Sequence, residues 1–460
     1  MLQLVERGGT KDCGGTTRRD FLRIGALGLG GLGISGLASE SLRAAEGAAR
    51  KKSVILLFLC GGASHIETFD PKPEAPIEFR SVTGEIQTSV PGLTFGGTFE
   101  GLAARADRLA VVRSFAPHGI SDHAQAIKHL LTSGDAAGTS IGSRYAAYRA
   151  ACPEPGTGMP HYGALIEQEE VDSQYMEDRD RMNIGSAFGG LGSRYAAFTP
   201  LGGMAEDMQL RVSAERFAER RGLPELLAAV RRSSQGGEHA EAAATYREQA
   251  IDVILGGSVR RALDLSDEDP RNLARYDTTG YKVGWTAKSP CSLGHRLLTA
   301  RRLCQAGCGF VTVGFAGWDN HANDKHPTVF GGMNLLGRPL DRAVSAFLDD
   351  VREQGLEDDI LLVITSEFGR TPKLQANGGR DHWPGLDLLV FAGGGLRMGQ
   401  VIGESTSKAE TPKGDPLGYP ELLGTLWHTL FDVGQLRLQA GVPRAMLAEL
   451  EQTRPIPQLV

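Results

Sequence analysis

The residues with the most chemical reach gather just after three apolar runs. The run at 359–365 is followed by Ser366 and Glu367, with Asp381 and His382 on the stretch before a further apolar run at 386–392. The run at 310–315 is followed by Trp318, Asp319, Asn320 and His321, and the run at 53–60 by Gly61, Gly62, Ser64, His65, Glu67 and Asp70. Carboxylates and imidazoles from several segments are the donors of a divalent metal site. A mixed nitrogen and oxygen set suits zinc, manganese or iron, whereas an all-oxygen set suits calcium or magnesium. Asp319, His321, Glu367 and His382 are the candidate metal ligands. Arg370 and Arg380, with Lys373, are candidates for holding an anionic group, since a guanidinium offers a bidentate fork. Each pattern alone also has an ordinary reading. Asp319 and His321 suit a solvated loop, Glu367 a turn cap, and Arg380 and Asp381 a paired turn.

A fourth group, Ser121, Asp122 and His123, precedes a helical pattern at 124–131. A serine there stands where the positive end of a helix and its free amides stabilise an anion, so Ser121 is a candidate nucleophile, with Asp122 or His123 as ligand or base. Ser and Asp are equally the preferred residues for capping a helix start.

These groups can meet only if the runs before them are neighbours. The run at 53–60 is apolar without alternation, as expected for a strand buried on both faces, and similar runs stand at 109–112, 310–315, 359–365 and 386–392. Leu335, Leu336, Leu340, Ala343, Val344, Phe347, Leu348 and Val351 follow amphipathic helical spacing before Gly355, and a second apolar helix is expected at 422–431. Strands alternating with helices predict an α/β fold of three layers, αβα, with a mostly parallel central sheet. In such sheets ligands bind at the carboxyl ends of the strands, where the polar groups above lie. Residues 205–290 carry charged helical stretches and little strand pattern, which predicts a helical insertion. The Gly- and Pro-rich connection at 61–100 is long enough to have a task of its own.

The first 45 residues stand apart. Thr17-Arg18-Arg19-Asp20-Phe21-Leu22-Arg23 precedes an uncharged, glycine-rich apolar run at 24–37, and alanines follow at Ala44 and Ala45. This is the pattern of a twin-arginine signal peptide over 1–45, leaving an α/β domain over 46–460. It predicts a protein handled by the twin-arginine export machinery and delivered to the periplasm or outside the cell, or membrane-anchored if the signal is uncleaved. The run is short for a membrane span, so no stable span is expected after cleavage. The formal net charge is −6, and no basic patch argues for nucleic acid. Of the six cysteines one falls in the signal, and the remaining odd number forms no disulfide framework.

The motifs Gly61-Gly62-x-Ser64, Thr68-Phe69-Asp70-Pro71-Lys72-Pro73, Ser121-Asp122-His123, Gly317-Trp318-Asp319-x-His321, Ser366-Glu367-Phe368-Gly369-Arg370-Thr371-Pro372 and Gly379-Arg380-Asp381-His382-Trp383-Pro384 together resemble an exported family. That family is domain of unknown function 1501, itself similar to the alkaline-phosphatase and sulfatase superfamily. The resemblance implies a metal-dependent hydrolase of phosphate or sulfate esters, acting on a small molecule or a polysaccharide. By it, Asp319, His321 and His382 hold one metal, with zinc favoured and manganese, iron or calcium as alternatives, and Glu367 replaces a metal-binding aspartate. His326 rivals His321, because the superfamily's spacing is wider. The departures are specific. Gly61 and Gly62 stand where the superfamily has an aspartate, and Phe368 stands where it has a histidine. A second metal site would therefore need His65, Glu67, Asp70 or Asp122. Cys152-Pro153-Glu154-Pro155-Gly156 lacks the Cys-x-Pro-x-Arg pattern of formylglycine sulfatases. The alternative expectation is a non-catalytic exported binding or assembly protein that retains the hydrolase fold.

Overall fold

Residues 48–152, 159–166, 173–200, 257–284, 289–438 and 444–460 are described by the computed structural model. The signal-like segment at 1–45 and most of the expected insertion lie outside them. The apolar runs become the strands of one seven-stranded sheet. These are β1 (Ser53–Leu59), β2 (Ala110–Val112), β3 (Tyr162–Leu165), β4 (Phe310–Phe315), β5 (Ile360–Thr365), β6 (Leu389–Gly393) and β7 (Gln400–Ile402). Their order is β7-β2-β6-β5-β1-β4-β3. β1 is central and parallel to both neighbours, with Leu56 opposite Thr312 on one side and Val363 on the other. β3 runs parallel to β4, and β7 to β2. Only β6 is reversed, antiparallel to β5 and to β2.

Burial on both faces explains the missing alternation. Ile55, Leu57 and Leu59 point into one core with Leu297, Ala343 and Phe347, while Val54, Leu56 and Phe58 point into another with Leu130, Ala146, Trp427 and Phe431. Helices α1 (His123–Leu131), α2 (Ile141–Ala150) and α5 (Tyr419–Leu430) cover the second face. Helices α3 (Leu293–Gln305) and α4 (Arg338–Glu353) cover the first. The fold is therefore the expected three-layer α/β arrangement around a mostly parallel sheet. Before α4, a wider helical turn at Met333–Gly337 carries the periodicity that the sequence pattern started at Leu335.

The C-terminal part of the expected insertion is described. Its helices Ser258–Leu263 and Pro270–Tyr276 share the first core through Val259, Ala262 and Tyr276. Arg301 of α3 ties this region down, pairing with Glu268 at 2.8 Å and with Asp350 of α4 at 3.0 Å. The five described cysteines are buried.

Candidate metal centre

The carboxyl ends of β1, β4 and β5 meet because short polar side chains and glycines let three chains leave the sheet together. Ser366 Oγ, just past β5, donates to Leu59 O at 2.8 Å and accepts from Ala63 N at 2.8 Å. Gly61, just past β1, has φ +112°, and a Cβ there would stand 2.6 Å from Trp318 N on the chain leaving β4. Only glycine fits that crossing.

Asp319 follows β4 and is the hub. Its Oδ1 lies 2.8 Å from His321 Nε2, 3.4 Å from His382 Nε2 and 2.6 Å from Arg370 Nη2. Its Oδ2 lies 3.4 Å from His123 Nε2 and 3.1 Å from His326 Nδ1. One donor atom from each of His123, Asp319 and His382 falls within 4.8 Å of the others, and His321 Nε2 is 2.9 Å from His382 Nε2.

The outer nitrogen of each imidazole is held by an oxygen that only accepts. His123 Nδ1 meets Glu367 Oε1 at 2.8 Å, His321 Nδ1 meets Asp381 Oδ1 at 2.9 Å, and His382 Nδ1 meets the Ser121 carbonyl at 2.7 Å. With the proton on Nδ1, each neutral ring turns the Nε2 lone pair inward, toward the other lone pairs and the Asp319 carboxylate. Lone pairs and an anion facing one another call for a cation, and a carboxylate or carbonyl behind each ligand is how metal-binding histidines are oriented. His123 Nε2 is buried and makes a long contact, 3.4 Å, to Asp319 Oδ2. Phe368 is fully buried and packs against two of these rings, 4.9 Å from His123 and 4.6 Å from His382 between centroids.

The electrostatics of the bare centre agree. Burial opposes charge on His123, but its bonds to Asp319 and Glu367 outweigh that and raise its pKa to about 9. Burial likewise opposes ionisation of Asp319, yet His123, His321, His382 and Arg370 hold its carboxyl far below the usual range. Protons are the cations this centre takes when no other is offered.

Residues 51–438 match the family described as protein of unknown function (DUF1501). The chain belongs to that family. No curated protein matches it. Solved structures similar to it include the lipoteichoic acid synthase LtaP from Listeria monocytogenes, at 12% identity and a TM-score of 0.33, covering 88% of this chain and 80% of that one. The PsFucS1 sulfatase from Pseudoalteromonas sp. is similar at 12% identity and a TM-score of 0.31, with 85% and 70% covered. The phosphonate monoester hydrolase SpPMH from Silicibacter pomeroyi is similar at 10% identity and a TM-score of 0.28, with 90% and 76% covered. At such TM-scores these likenesses decide nothing about chemistry.

In this DUF1501 chain the candidates named from sequence fall in several places. Asp319, His321, His382 and His123 converge, and His326 touches the same carboxylate. Glu367 stands behind His123, its Oε1 also accepting from Gly61 N at 2.8 Å, so it orients a ring instead of adding a donor. Asp122 caps α1, accepting from Gln125 N at 3.0 Å, while Ser121 is exposed and contributes its carbonyl. Arg370 and Arg380 have no exposed side-chain surface. Arg380 is paired with Glu67 at 3.0 Å and bonded to the carbonyls of Thr371, Pro372 and Arg80, so it offers no open face to a substrate anion. Asp70 is paired with Lys72 at 3.2 Å and Arg113 at 3.3 Å, and His65 Nε2 lies 3.1 Å from Ala409 O. Glu67, Asp70 and His65 are thus engaged away from Asp319. Sequence spacing carried no sign of the Ser121 carbonyl or of Phe368 packing against both rings. A backbone acceptor leaves no residue type to read, and a phenylalanine after a strand reads as core.

Proposed function

We propose that this chain is an exported, metal-dependent hydrolase of phosphate or sulfate esters. The observation that carries the reading is the inward set of imidazole Nε2 atoms around Asp319, each with its Nδ1 held from outside. Imidazole with carboxylate favours zinc, with manganese or iron next and calcium least suited. When bound, such an ion supplies Lewis acidity toward an ester oxygen and lowers the pKa of a water molecule. The residues around it supply position. Glu367, Asp381 and the Ser121 carbonyl fix the tautomer and tilt of His123, His321 and His382. Phe368 keeps water from behind the rings. The Ser121 hydroxyl, exposed at the start of α1 beside His123, stands where an attacking group would be wanted, and the amides of that helix start favour an anionic ester.

Elemental mass spectrometry on protein purified without chelator tests the metal. Near-stoichiometric zinc, manganese or iron is expected in the wild type and is lost in His382→Ala and Asp319→Ala. Metal-loaded protein that turns over no phosphomonoester, phosphodiester or sulfate ester would overturn the hydrolase reading.

A second reading is favoured by Gly61, Phe368 and the enclosed Arg370 and Arg380, which leave the centre without an open cationic contact. On it the chain is an exported binding or assembly protein. Correctly folded wild type with no metal supports this reading. Export itself rests on Arg18 and Arg19, and changing both to Lys is expected to leave the protein in the cytoplasm.

A further inference from the structure

The Arg370 guanidinium is a cation enclosed mostly in oxygen, with Nη1 also 3.4 Å from His321 Nε2. Its Nε donates to Gly62 O at 2.7 Å, Nη1 to Arg380 O at 3.2 Å, and Nη2 to Gly61 O, to Trp318 O at 3.3 Å and to Asp319 Oδ1 at 2.6 Å. Carbonyl and carboxylate oxygens grouped in this way are what a hard metal ion takes as ligands. The cage is built by glycine. Gly61 and Gly62 have φ of +112° and +80°, and a Cβ on Gly62 would stand 2.5 Å from the Phe368 ring and 3.0 Å from Arg370 Nη2. Arg370 therefore fills a space shaped for a cation and shares Asp319 with the imidazoles on the other side.

We propose that Arg370 is a built-in cation that takes the place of a second metal ion, so that this centre binds a single divalent ion. The inference rests on the metal-site reading above and adds the stoichiometry. An arginine cannot lose its charge at any physiological pH and cannot exchange with solvent. Of the three positive charges that would then flank Asp319, one is thereby fixed in the chain. Without the guanidinium, Asp319 and four carbonyls, of Gly61, Gly62, Trp318 and Arg380, would face a cavity that a small cation fits.

The test is a zinc titration of the full chain by calorimetry, with the bound ion counted by elemental mass spectrometry after desalting. Wild type is expected to bind one zinc per chain. Two would overturn the inference while leaving the metal centre intact, and none would overturn the metal centre and the inference with it. Folded Arg370→Ala is expected to bind two ions per chain, one zinc and, in a second titration with calcium or magnesium, one hard ion that the wild type does not take, the latter displaced by guanidinium ion added to the buffer. Arg370→Lys, which restores a fixed charge, is expected to return to one. One ion in folded Arg370→Ala overturns the inference. Should Arg370→Ala not fold, Arg370→Gln, which keeps a hydrogen-bonding group in the cage, is read in the same way.

Discussion

Glu367 is the residue whose role most depends on which way its carboxylate points. It is fully buried and accepts from both His123 Nδ1 and Gly61 N. Glu367→Gln keeps the shape and one acceptor oxygen but removes the negative charge behind the His123 ring. Its metal affinity should fall about tenfold to a hundredfold with folding retained, measured by competition against a zinc chelator. A structural carboxylate unrelated to the centre would leave that affinity unchanged. Sequence spacing put Glu367 at the right strand end because a strand's last residue is set by where the apolar run stops. It could not say whether the side chain faces the centre or stands behind a ring, since that depends on His123 arriving from a segment far away in the chain. The same limit applies to Asp122, whose N-cap role and proximity to the centre are both written in the one tripeptide. His321 and His326 both reach Asp319 because the short turn between them folds back, with His326 Nδ1 also 2.8 Å from the Asp319 carbonyl.

At the scale of elements, the crossing of chains beyond β1 and β4 sets the tightest demand. Gly61→Ala places a side chain at a positive φ and against Trp318 N, so it should cost about 1–3 kcal/mol from the backbone alone. Urea unfolding measures this, and an unchanged midpoint would mean the crossing is looser than its contacts imply. The Glu67 and Arg380 pair is a second demand at this scale, since both side chains have no exposure. Glu67→Ala leaves a buried guanidinium uncompensated and should cost roughly 3–5 kcal/mol, seen as a lowered unfolding midpoint. The strands of the sheet centre were legible as apolar runs because burial on both faces leaves no alternation to confuse them. β3 and β7 were not. β3 has four residues and includes Gly163, and β7 has three at a sheet edge, too short for any period to stand out. The reversal of β6 was equally hidden, because an apolar run reads the same in either direction.

Across the whole molecule, the two cores hold the layers together while one buried acid works against them. Asp178, on the helix Ser173–Gly185, is buried and has Oδ1 3.1 Å from Arg181, while Oδ2 has no partner among the described residues. Burial, followed by the nearby Glu367, raises its pKa to about 7. The unfolded chain loses this proton near pH 4 and the folded chain only near pH 7, so stability from this group is full at low pH and falls as pH rises between them. Asp178→Asn removes that loss. In metal-free protein it should gain more than about 1 kcal/mol relative to wild type at pH 8 but not at pH 4, by urea unfolding at both values. Composition and strand pattern made the three-layer architecture legible, whereas this interior acid was not, because a single Asp in a charged helix reads as surface. The reversed strand β6 carries one more consequence. Thr365 at the end of β5 pairs with Leu389 at the start of β6, so residues 366–388 leave and re-enter the sheet at adjacent points. Glu367, Arg370, Arg380 and His382 thus travel on one closed excursion of the chain, so a change in its length shifts all four together and leaves the strand pairing at its two ends intact.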